Sequence, residues 1–184
     1  MHLSTEELTR SLPQILEAPP DQGRIEMIVV RPGEDQREVV QSAKLDPDLG
    51  VVGDNWHDRA GDRDPDQYVL SQVTFMSSRV VEAIAGSRDR WPLAGDQIYV
   101  DMDLSVDNLP PGTRLQVGEA ELEVTAIPHT GCKKFATRYG PEALRFVNVG
   151  EGRDRRFRGM YAKVVQAGSF QVGDRVEKLP VAGS

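Results

Sequence analysis

The amino-acid sequence predicts a mainly β domain, a barrel or a sandwich with few helices. Three observations predict it. Several segments alternate apolar and polar residues with a period of two. These segments are short and separated by Gly, Pro and Asp turns. Helical periodicity is confined to a few brief stretches. The 184 residues, 39% hydrophobic and 28% charged, suit one compact soluble domain with a short extension.

The first element is that extension, residues 1–20. Ser4-x-x-Glu7 reads as a capping box opening a short helix with Leu8, Leu12, Ile15 and Leu16 as its apolar stripe. Pro13 is expected to kink or split it, and Pro19-Pro20 to end it. The domain proper spans 21–184. Ile25 to Val30 is a strongly apolar strand candidate, and Ser77 is placed to cap a helix through Val80, Val81 and Ile84 that Gly86 stops. Ile98, Val100, Met102 and Leu104 alternate with polar neighbours as in a half-buried strand. Leu115 and Val117 lead through a turn at Gly118 into the alternating Leu122, Val124 and Ala126. Pro141 opens a further short helix carrying Ala143, Leu144 and Val147. Ala162–Val165, a turn at Ala167-Gly168, and Phe170 with Val172 predict a closing hairpin, with Val176 beyond.

Charge and composition exclude some functions. A net charge of −7 argues against nucleic-acid binding. No apolar run approaches the roughly 18 residues that span a bilayer. Met1-His2-Leu3-Ser4-Thr5-Glu6-Glu7 has neither the basic nor the apolar region of a signal peptide, so a cytoplasmic location is expected. The single cysteine forms no internal disulfide. Residues 131–158 nevertheless hold eight Lys or Arg against three acids, a local +5 on an otherwise −12 chain. Such an island suits a small anionic ligand, or simply a solvated loop.

The cysteine lies at the head of that island, in Pro128-His129-Thr130-Gly131-Cys132-Lys133-Lys134-Phe135. It follows a strand and precedes a helical turn, where backbone N–H groups favour a thiolate. Lys133, Lys134, Arg138 and His129 push the same way, and a thiolate is what a soft metal, a persulfide or an electrophile requires. The alternative is a small buried hydrophobe, although the polar, basic setting speaks against it. Asp54-Asn55-Trp56-His57-Asp58 reads equally as a pocket rim or as turn formers with Trp56 packed. A zinc-dependent hydrolase using His57, His129 and Cys132 is a third reading, without the dense Cys/His pairing that structural zinc sites show.

Taken together, Gly50-Val51-Val52-Gly53-Asp54, Gln72-Val73-Thr74-Phe75-Met76, Ala94-Gly95-Asp96-Gln97-Ile98, Asn108-Leu109-Pro110-Pro111-Gly112, Gly131-Cys132-Lys133-Lys134-Phe135, Gly159-Met160-Tyr161-Ala162 and Val172-Gly173-Asp174 resemble, in order, the MOSC domain. That domain ends molybdenum-cofactor sulfurases and also stands alone in bacteria. The resemblance covers most of residues 23–178. It implies a closed or nearly closed, pyruvate-kinase-like β-barrel with a few short helices, and a cysteine, Cys132, that carries sulfur or binds the molybdenum of the cofactor (molybdopterin). The candidate cofactor-binding residues are then Cys132, His129, Thr130, Lys133 and Arg138, with Arg90, Asp54 and His57 from elsewhere in the chain. Charge adds the loop 153–158. Sulfurases carry an upstream pyridoxal-phosphate domain, for which this chain has no room, so pyridoxal phosphate is expected only on a separate partner. In the larger amidoxime-reducing relatives an Arg-rich loop precedes the strand equivalent to Ile98–Leu104, and here that position keeps one arginine, Arg90. The functions implied are a small molybdoenzyme reducing N-hydroxylated or similar substrates, or a carrier of persulfide or cofactor. The partners implied are a small molecule and a redox or cysteine-desulfurase-type protein.

Overall fold

A computed structural model describes residues 2–180, so the last four residues of the expected domain lie outside the described residues. The strands are β1 (Gln22–Val30), β2 (Glu38–Val40), β3 (Ser42–Asp46), β4 (Gly50–Val51), β5 (Val73–Ser77), β6 (Ile98–Asp101), β7 (Arg114–Val117), β8 (Ala120–Val124), β9 (Met160–Gln166), β10 (Gly168–Gln171) and β11 (Arg175–Lys178). The helices are α1 (Thr5–Arg10), α2 (Leu12–Leu16), α3 (Pro65–Tyr68), α4 (Ser78–Ala85), α5 (Lys133–Tyr139), α6 (Pro141–Asn148) and α7 (Glu151–Asp154).

Seven strands close a barrel in the order β1-β11-β7-β8-β9-β5-β6 and back to β1. Neighbours are antiparallel except β5 and β6. The expected mainly β, closed barrel with short helices is therefore the fold. A small sheet, β10-β3-β4, lies beside it, and β2 extends from the C-terminal half of β1.

Two cores follow from the strand pleat. Phe75, Ile98, Val100, Leu122, Ala162 and Val176 point into the barrel. Met27, Val29, Met76 and Tyr99 point outwards and pack under Trp91, Phe135, Tyr139 and Phe157. This is why every residue of β5 is buried, whereas β7 and β8 alternate with one face towards water. An irregularity between Ile25 and Met27, where β1 slips one residue against β6, lets both Ile25 and Ile28 enter the barrel core.

The capping box at Ser4 is formed, and the extension breaks into α1 and α2 around Ser11-Leu12-Pro13. Gly86 ends α4 in the left-handed region at φ 73°. Ser77 occupies the N-cap of that helix, but its hydroxyl makes no capping bond. The strand expected through Leu104 ends at Asp101, although Leu104 remains in the barrel core.

The predicted closing hairpin needs correction. β9 pairs with β8 and β5, while β10 leaves the barrel to pair with β3. Gly168 explains the departure: it passes against the turn between β7 and β8, where a Cβ would sit 2.4 Å from the Glu119 carbonyl carbon. Closure falls instead to β11, which bridges β7 and β1.

Candidate functional site

Four stretches of chain meet around Cys132: the residues after β1, those before β6, the β8–α5 connection, and the residues before β9. Cys132 is the N-cap of α5, extended at φ −117° and ψ −179°, and it is exposed. It lines a cavity of 690 Å³ together with Arg31, Arg37, Asn55, Arg59, Lys134 and Arg138. Glu34, Asp35 and Asp58 also line it, so cations outnumber acids. Partial burial works to raise the thiol pKa, but the Phe135 and Lys134 amides, then the charges of Arg158 and Arg138, outweigh it and hold the pKa below its ordinary 9.0. The amides act as nearby dipoles, because neither closes a capping hydrogen bond of ordinary geometry to sulfur. A cavity of similar size, 670 Å³, lies at Gln116, Gly118 and Ser169–Gln171 and contains neither cysteine nor histidine.

Behind the thiol lies a buried polar cluster. Arg158 donates to Asp96 Oδ2 at 2.6 Å and to the Ala94 carbonyl at 2.9 Å, and its guanidinium stands 5.0 Å over the Phe135 ring. Asp96 is fully buried, and that burial, against the opposing charges of Arg158 and Arg31, raises its pKa to about 6. His129 Nδ1 lies 3.5 Å from Asp96 Oδ1, yet neither atom has a hydrogen-bond partner among the described residues, nor has Arg158 Nε. The contact is therefore not an ion pair. Burial first, then Arg158 and Arg31, hold the His129 pKa well below 6.5, so the imidazole is neutral at physiological pH. Its ring packs on Tyr161 with centroids 4.4 Å apart.

The other expected site residues divide. Arg138 lines the cavity, donating to the Leu93 carbonyl and Asp35. Lys133 and Thr130 are exposed beside Cys132. Arg90 is turned away from the cavity: it donates to the carbonyls of Ala85 and Arg138, and so holds the end of α5. Asp54 accepts from Arg31 Nε (2.8 Å) and Nη2 (2.9 Å) and from the amides of Arg31 and Trp56. Its carboxylate is filled by these four bonds, and its work is to aim Arg31. Asn55 and Asp58 form the rim, while Trp56 stacks on Tyr68, so both readings of that segment are partly realised. His57 is exposed in a 3₁₀ turn near the Asp48 carbonyl. Among the described residues no three His, Cys, Asp or Glu side chains gather to hold a metal ion. The three-residue zinc site of His57, His129 and Cys132 is therefore not formed, because turn geometry keeps His57 on the surface.

Arg31 and Arg37 escaped the sequence reading. Nothing adjacent in the sequence marks Arg31, whose pairing with Asp54 spans 23 residues. Arg158 was visible only as one of a run of arginines, and Asp96 only within the Ala94–Ile98 segment of the family resemblance.

The sequence matches the family model described as MOSC domain over residues 66–177. The fold is similar to the YUAD protein from Bacillus subtilis, at 16% identity and TM-score 0.62, over 85% of this chain and 95% of that one. It is also similar to YiiM from Escherichia coli (14% identity, TM-score 0.55, 88% and 72% covered) and to YiiM from Geobacillus stearothermophilus (16%, 0.57, 86% and 75%). None of the curated proteins matches. At these identities the likeness to solved structures concerns the fold alone.

Proposed function

The chain belongs to the MOSC domain family, and on that premise we propose that it binds a molybdenum cofactor through Cys132 and reduces small N-hydroxylated or similar substrates. The observation that carries this reading is the exposed, acidified thiol of Cys132 at the wall of a cation-rich 690 Å³ cavity. The donor set fits the group. A thiolate suits a soft metal, guanidinium groups suit a terminal phosphate, and Arg37 Nε and Asn55 Oδ1 are buried polar atoms beside the cavity without partners among the described residues.

Bound there, the cofactor would supply two-electron redox chemistry. A reduction R–NHOH + 2e⁻ + 2H⁺ → R–NH₂ + H₂O takes its electrons from a redox partner protein. In this reading Cys132 holds the metal, while Arg37, Arg59 and Arg138 bind the anionic end of the cofactor. Asp54 keeps Arg31 aimed at the cavity wall, and the buried Arg158–Asp96 pair places a guanidinium charge behind the thiol.

The exposure of Cys132 favours a second reading. A thiol that a partner can reach suits a carrier of persulfide or cofactor, loaded by a cysteine-desulfurase-type protein whose pyridoxal phosphate stays on that partner.

The test is elemental analysis of protein made in a host that produces the cofactor, alongside Cys132→Ser. Near-stoichiometric molybdenum that the variant loses is the expected result, and absence of molybdenum from both proteins would leave the carrier reading. Cys132→Ser should also move stability by no more than about 0.5 kcal/mol, because the side chain is exposed. A large fall in the thermal midpoint would mean that the cysteine is structural.

A further inference from the structure

We propose that Asn148 is a positioning residue for Cys132: its side-chain amide clamps Gly131 and thereby fixes where the thiol points. The inference rests on the reading of Cys132 as the reacting centre. Asn148 ends α6, and its Oδ1 accepts from the Gly131 amide at 2.8 Å while its Nδ2 donates to the Gly131 carbonyl at 3.0 Å. One planar amide thus satisfies both backbone groups of one residue, as a neighbouring strand would. The pairing also settles the orientation of the Asn amide, because the flipped form would oppose two donors and two acceptors.

The clamp is tight. A Cβ on Gly131 would lie 2.7 Å from Leu144 Cδ1 and 3.4 Å from both Val147 Cγ2 and Asn148 Oδ1, so the loop presses on one face of α6. The described β8–α5 connection from Ala126 to Cys132 contains no strand or helix of its own. Without Asn148 the Gly131–Cys132 peptide would be free to rotate. Its rotation sets the direction of Sγ relative to the Lys134 and Phe135 amides and to the cavity. Asn148 does not line the cavity, and its side-chain hydrogen bonds go to Gly131, so it acts through the backbone it holds.

The experiment uses the full-length protein and compares the pH profile of iodoacetamide alkylation for wild type, Asn148→Ala, Asn148→Asp and the exposed neighbour Val149→Ala. Amide exchange at Gly131 is followed in parallel. The wild-type midpoint is expected below the ordinary thiol value of 9.0. Both Asn148 variants should bring it back towards that value, with at least threefold slower alkylation at pH 7 and at least tenfold faster Gly131 exchange, and Val149→Ala should change neither. Asn148→Asp keeps the size and the acceptor but loses the donor, and serves alone if Asn148→Ala does not fold. A low wild-type midpoint that both Asn148 variants retain would overturn the clamp and leave the Cys132 site standing. An ordinary midpoint in wild type would overturn the site itself, and the clamp with it.

Discussion

Replacing Arg158 with alanine should destabilise the folded protein by about 3–5 kcal/mol at neutral pH, the usual cost of removing one partner from a buried ion pair. Arg158 is 8% exposed and Asp96 0% exposed, and among the described residues their 2.6 Å bond is the carboxylate's one hydrogen bond to a side chain. With the guanidinium gone, Asp96 must ionise alone in the interior or take up a proton. The fall in thermal midpoint should be roughly 10 °C, since a domain of this size loses about 2–4 °C per kcal/mol. The double change Asp96→Asn with Arg158→Met should recover most of the loss, because it removes both charges together. Thermal unfolding of the three proteins checks this. A loss below about 1 kcal/mol in Arg158→Ala would mean that the pair is solvated in solution.

The same cluster predicts an unusual dependence on pH. Folding carries Asp96 from an ordinary 3.8 to about 6, chiefly by burial, so its contribution to stability is complete below pH 3.8 and is lost as the pH rises through 6. His129 behaves oppositely. Folding depresses it well below 6.5, so its contribution is present above 6.5 and is lost as the pH falls. Between pH 4 and 6 the two oppose each other: folding in effect hands one proton from an imidazole to a carboxyl. Arg158 lies against the cluster as well, while Arg31 and the tyrosines 99, 139 and 161, which also face it, are held above their ordinary pKa values and keep their charge states in this range. His129→Gln should therefore unmask the carboxyl. Its own stability should rise on going from pH 7.5 to 4, by up to the roughly 3 kcal/mol that the Asp96 change represents, where the opposing imidazole flattens the wild-type profile. Asp96→Asn should instead lose stability over the same interval. Urea midpoints at pH 4.5 and 7.5 decide it, and parallel profiles for all three proteins would show that the pair is not coupled to folding.

What the sequence made legible follows what is local. Alternation exposed β6, β7 and β8, the turn at Ala167-Gly168 marked the end of β9, and the capping box and the glycine stop bounded α1 and α4 from a few adjacent residues. β5 carries no alternation because both of its faces are covered, and it was visible only through the family resemblance. The closing hairpin was misassigned because the contact that diverts β10, Gly168 against Glu119, joins residues far apart in the chain. At the site, Cys132 stood out as a single thiol in basic surroundings. Arg138 stood out with it by charge, whereas Arg158, Asp96, Arg31 and Asn148 did not, because they acquire their places from partners that folding alone brings near.

The seam of the barrel bears on synthesis. Gln22, in the first strand, faces Glu177, in the last. A nascent chain emerging from the ribosome therefore holds a barrel that cannot shut until β11 has been translated. Until then β1 and β7 present open edges, inviting strand exchange with a neighbouring nascent chain. Closure is a late event with a large loop to gather, so folding should be slower than that of a helical domain of equal length. The cysteine pocket borrows Arg31 from the chain just after β1 and Arg158 from the chain just before β9. Ribosome-bound chains stalled before residue 175 should accordingly carry that pocket on an unclosed barrel.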